Sequence, residues 1–136
     1  MKRRITPILF MAMMFMFSSG LVQAASGYES FSFYVEAKGG SGNSGHFEKE
    51  KKGNADVNVK RISSSCSPNL QFSMRIRETN TNEIATGYKE FDKNFTGSMY
   101  LKYVSGMGKL EKVYYLRIRT PYASPQAAWA EGNLRV

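Results

Sequence analysis

A chain of 136 residues fits one domain, and a domain of that size buries a core without a metal or disulfide to hold it together. Its single cysteine, Cys66, excludes an intramolecular disulfide, and its single histidine, His46, excludes a multi-histidine metal site. The formal net charge of the whole chain is +8.

The first element is a secretory signal peptide over residues 1–24. Lys2, Arg3 and Arg4 form its basic start, Ile8 to Phe17 its apolar run, and Val22-Gln23-Ala24 puts small residues before a cleavage point at Ala25. The apolar run is shorter than the roughly 20 residues a membrane span needs, and no second run follows, so no transmembrane span is expected in the mature protein. Residues 25–136 then form a single secreted domain, extracellular or associated with the cell wall. Removing Lys2, Arg3 and Arg4 lowers the charge from +8 to +5, a modest cationic bias that favours anionic surfaces such as cell-wall polymers, acidic lipids or polysaccharides and says nothing about fold. Cys66 lies too far past the cleavage point to be a lipidated first residue. A basic start of this kind and an exported domain without a disulfide suit a Gram-positive bacterium.

Period-two alternation dominates the remainder and predicts an all-β domain. The first strand spans Glu29 to Lys38, with Phe31, Phe33, Val35 and Ala37 on one face, and ends at Gly39-Gly40. Residues 39–56 read as a glycine- and charge-rich connection with scope for edge pairing. Val57 to Ile62 is a short strand, and Ser63 to Asn69 a loop with Cys66. Leu70 to Glu78 alternates most clearly, with Leu70, Phe72, Met74 and Ile76 opposite Gln71, Ser73, Arg75 and Arg77. After the polar turn Thr79-Asn80-Thr81-Asn82, further strands follow at Ile84 to Phe91, Ser98 to Val104, Lys112 to Thr120 and Ala127 to Val136. These spacings predict an antiparallel β-sandwich of about seven strands, or a small barrel. Met74-Arg75-Ile76-Arg77 and Leu116-Arg117-Ile118-Arg119 resemble each other, as a duplication would or as alternating strands do by chance.

No motif predicts catalysis. Gly40-Ser41-Gly42-Asn43-Ser44-Gly45 matches a dinucleotide-loop spacing, but the helix that must follow is missing. His46 and Cys66 fall in separate polar loops with no supporting thiol-dyad motif, although an exposed Cys66 would be able to pair two chains. Glu36, Glu78, Glu90 and Asp92 lie mostly beside lysines or arginines, as solvated surface acids do. No enzyme activity, cofactor, metal site or nucleic-acid partner is expected. Asn94-Phe95-Thr96 is a glycosylation sequon, relevant only in a eukaryotic source.

The ligand-binding candidates are Arg75, Arg77, Arg117 and Arg119, with Tyr115. If the strands at 70–78 and 112–120 share a sheet, these residues fall on one solvent face, where guanidinium groups bind phosphate or carboxylate bidentately and tyrosine stacks on sugars. The alternative is that they belong to unrelated solvated faces. The tyrosines and Trp129 read as half-buried strand residues or as the lining of a glycan groove.

A signal peptide, no disulfide, strands and loops rich in Gly, Asn and Tyr, and a closing Ala127-Ala128-Trp129-Ala130-Glu131-Gly132 carry a resemblance. In these features the chain resembles a loose class of small secreted all-β proteins of Gram-positive bacteria, in style similar to the lactococcin-like bacteriocins. It departs from the bacteriocins in its greater length, single histidine and Arg-x-Arg strands. The expectation is a monomer or weak dimer that binds an anionic cell-wall polymer or polysaccharide. A bacteriocin-like toxin and an inhibitor of an exported hydrolase are the alternatives.

Overall fold

The computed structural model describes residues 27–136, so the signal peptide read over 1–24 lies outside the described residues. Eight strands and no helix occur among them: β1 (Glu29–Val35), β2 (Ser41–Glu48), β3 (Ala55–Ser63), β4 (Phe72–Glu78), β5 (Lys89–Phe91), β6 (Gly97–Leu101), β7 (Val113–Arg119) and β8 (Ala128–Arg135). They form two four-stranded antiparallel sheets, ordered β1-β8-β3-β6 and β2-β7-β4-β5. The all-β antiparallel sandwich read from the alternation is the architecture found.

Strand periodicity places the core between the sheets. Phe31, Phe33 and Val35 of β1, Val57 and Val59 of β3, and Ala130 and Leu134 of β8 turn inward. They meet Phe72, Met74 and Ile76 of β4 and Leu116 and Ile118 of β7. Each fully buried Leu, Ile, Phe or Met side chain contributes about 1.5–3 kcal/mol relative to exposure. Cys66 belongs to this core at 3% exposure with a free thiol, which leaves it unavailable for pairing two chains. His46 is exposed on β2, so the two do not form a dyad.

Two local departures shape the sandwich. The connection read at residues 39–56 contains β2, whose inward positions before its bulge are Gly42 and Ser44, leaving Phe47 beyond the bulge as its one apolar residue packed on the core. A Cβ at Gly42 would overlap the carbonyl oxygen of Tyr34, so this glycine lets β2 cross against β1 at one edge of the sandwich. The register shifts between Asn43 and His46, and in that bulge Ser44 Oγ accepts a 2.9 Å hydrogen bond from the Leu116 amide.

The second departure is at Ile84 to Phe91, where a continuous strand was expected and only Lys89–Phe91 pairs regularly. Before it, the Ala85 amide donates to Ile76 O at 2.9 Å and Thr86 Oγ1 accepts from the Ile76 amide at 2.9 Å. The Val104 amide donates to Ala85 O at 2.9 Å, and Thr86 bridges Tyr103. This segment ties the second sheet to the chain leaving β6 and closes the other edge.

Candidate functional site

β4 and β7 are hydrogen-bonded neighbours at the centre of the second sheet, with register pairs Ser73 with Arg119, Arg75 with Arg117, and Arg77 with Tyr115. Because Met74, Ile76, Leu116 and Ile118 fill the core, the intervening residues all project to the outer side. Arg75, Arg77, Arg117 and Arg119 therefore share one face, and β2 extends each row by adding Ser41 beside Arg119, Asn43 beside Arg117 and His46 beside Tyr115.

The four guanidinium groups are held differently. Arg117 donates from Nε to Asn43 Oδ1 at 3.0 Å and from NH2 to Tyr115 Oη at 3.4 Å. Arg77 donates from Nε to Asn82 Oδ1 at 3.1 Å and from NH2 to the Asn82 carbonyl, so it braces the turn after β4. Arg75 lies over the Tyr88 ring at 4.1 Å, and Arg119 lies 5.6 Å from the same ring and 5.2 Å from that of Tyr122. Arg119 NH1 also donates to Tyr88 Oη at 3.3 Å.

No carboxylate neutralises these charges. The one ion pair among the described residues is Arg61 with Glu131, on the other sheet. Glu90 stands across from Ser73 on the edge strand β5 without pairing to any of the four arginines. Arg75 Nε is buried without a hydrogen-bond partner. Burial pushes the Arg75 guanidinium below its ordinary pKa. Arg77, Arg117 and Arg119 push the same way, against an opposing pull from Tyr88. Arginine nevertheless stays protonated, so the cost appears as unsatisfied charge that an anion would relieve.

Tyr115 occupies the face in a different role from the stacking platform expected of it. At 5% exposure it is covered: its hydroxyl donates to Asn82 Oδ1 and the His46 ring packs edge-on at 5.5 Å. His46 is fixed in turn by a 2.8 Å bond between Nδ1 and Thr79 Oγ1. The exposed rings beside the arginines are instead Tyr88, 39% exposed, and Tyr122, 75% exposed. Both sit outside regular strands, where period-two alternation carries no information about facing.

No protein-family model and no curated protein matches the chain. No helix among the described residues is long and apolar enough to cross a membrane. Functional inference therefore rests on the chemistry of the face: fixed, unneutralised guanidinium groups on adjacent strands about 4.8 Å apart, flanked by exposed rings.

Proposed function

We propose that this protein is secreted and binds an anionic polymer of the cell envelope or extracellular matrix through Arg75, Arg77, Arg117 and Arg119. The observation that carries the reading is the absence of any carboxylate partner for these arginines among the described residues, although like charges stand directly opposite each other. Cross-strand like charges destabilise a sheet, and a phosphate- or carboxylate-bearing polymer supplies the missing counter-charge through bidentate hydrogen bonds. Arg75, Arg117 and Arg119 offer the binding groups, while Arg77 divides its donors between ligand and the Asn82 turn.

A rigid row of guanidinium groups needs little reordering on binding, which favours affinity for a repeating anion over a single small one. The signal-peptide pattern read in the sequence supports export to where such polymers occur. Retention of purified mature protein on isolated Gram-positive cell walls, with and without teichoic acid and across a salt series, tests the reading. Salt-sensitive retention that needs the polymer is the expected result. Retention unaffected by removing the polymer, or by changing all four arginines to serine in a folded protein, would refute it.

A further inference from the structure

The outer face of the first sheet has the opposite chemistry. Tyr34 of β1 and Trp129 of β8 are register partners there, 55% and 43% exposed, so the two aromatic side chains project from adjacent positions at one end of the face. The indole is oriented by a 2.7 Å hydrogen bond from Trp129 Nε1 to Ser32 Oγ. At the other end of β8, Arg135 lies in a row with Asp56 and Tyr100, and Tyr100 is 55% exposed. Six residues of strand separate the two ends, about 20 Å.

Between them runs a row of small polar groups, Ser30, Asn133, Asn58 and Ser98, one from each strand of the sheet. They are only loosely joined to one another, at 3.5 Å for Ser30 with Asn133 and 3.3 Å for Asn58 with Ser98, so most of their hydrogen-bonding capacity is open to a ligand. Charge on this face largely cancels. Arg61 bonds both oxygens of Glu131 at 3.1 Å, and Arg135 neighbours Asp56, leaving Lys60 at the β3 bulge. Asp56 is 4% exposed, and while its Oδ2 accepts from Tyr28 Oη at 2.7 Å, its Oδ1 is buried with no partner beside Tyr100.

We propose that this face binds a neutral polysaccharide strand, with pyranose rings resting on the Tyr34–Trp129 pair and on Tyr100, and hydroxyls bonded by the Ser and Asn row between. Sugars present apolar C–H faces to aromatic rings and hydroxyls to amide, hydroxyl and carboxylate partners, and they carry no charge for a balanced surface to reject. Polyanions are directed to the arginine face on the opposite side by the same argument.

Trp129 is the only tryptophan in the chain and therefore reports on its own site. The test titrates cellohexaose and chitohexaose against the mature protein while following indole emission, and measures co-sedimentation with insoluble cellulose and chitin. The expected result is a saturable emission shift with at least one oligosaccharide. Retention on the matching polymer should survive about 1 M salt and weaken about tenfold in Trp129→Ala and in Tyr100→Ala. These exposed positions at opposite ends of the face guard against a local folding defect being read as lost binding. Failure of both oligosaccharides to shift the emission, with no retention on either polymer, would overturn the proposal. A dimer in sedimentation that shields Trp129 from a soluble quencher would also overturn it, by assigning the face to a second copy.

Discussion

Arg75 and Arg117 stand directly across from each other on β4 and β7, each held by a different neighbour, Tyr88 beneath the first and Asn43 beside the second. Two like charges in register cost stability that short-range contacts only partly offset. Arg75→Gln keeps a long polar side chain and removes one charge. It should raise stability at low ionic strength by about 0.5 kcal/mol, and the gain should fade in high salt because screening already reduces the repulsion. Denaturant melts at two salt concentrations check this. A soluble polyphosphate should raise the melting temperature of the parent protein more than that of the variant.

Tyr88 serves Arg75 and Arg119 together, by its ring for both and by its hydroxyl for Arg119. Tyr88→Phe should retain most polyanion affinity, because the ring that positions the guanidinium groups remains. Tyr88→Ser should lose about tenfold, close to the energy of a cation–π contact. Binding measured at fixed salt separates the two, and equal losses would mean that the hydroxyl is what matters.

Asn82 has a positive φ of 57° and accepts hydrogen bonds from both Tyr115 and Arg77. Asn82→Ala and Asn82→Gly lose the same acceptor, but only alanine also bears the strain of the left-handed conformation. The glycine variant should therefore be the more stable of the two by about 1 kcal/mol, measured by denaturant unfolding.

Gly132 lies beneath the Phe31 ring, where a Cβ would sit 2.7 Å from Phe31 Cζ and overlap the Asn58 carbonyl oxygen. Gly132→Ala should cost about 3 kcal/mol or more, since backbone cannot move aside cheaply. Gly87, with no atom near its Cβ position, should accept alanine within about 0.5 kcal/mol. Paired thermal melts of the two variants provide the comparison.

Tyr103 packs against Tyr114 and beneath the Lys49 ammonium, 4.6 Å from its ring centre, and its own hydroxyl is buried without a partner. Burial, assisted by Tyr114, raises its pKa above the usual tyrosine value of 10.0. The folded state then holds this proton after the unfolded state has released it, so stability falls as pH climbs above about 10. Tyr103→Phe keeps the ring under Lys49 and removes the orphaned hydroxyl. It should gain about 1 kcal/mol at neutral pH and lose less stability than the parent in alkali, which unfolding curves between neutral pH and pH 11 would show.

Alternation alone located β1, β3, β4, β7 and β8, because each puts apolar residues at every second position and a slip of one residue would expose them all. The same regularity put the paired arginines opposite the apolar face within each strand. It missed β2, where Gly42 and Ser44 face inward and a bulge shifts the phase before Phe47 does, and it overextended β5, where Ala85 and Thr86 serve backbone bonds in place of a regular ladder. Only the tertiary structure decided that β4 and β7 are neighbours, because strand pairing depends on contacts between segments some forty residues apart. That pairing assembles the arginine face, buries Tyr115 within it, and brings Tyr88 and Tyr122 from irregular segments to take the exposed positions beside the guanidinium groups.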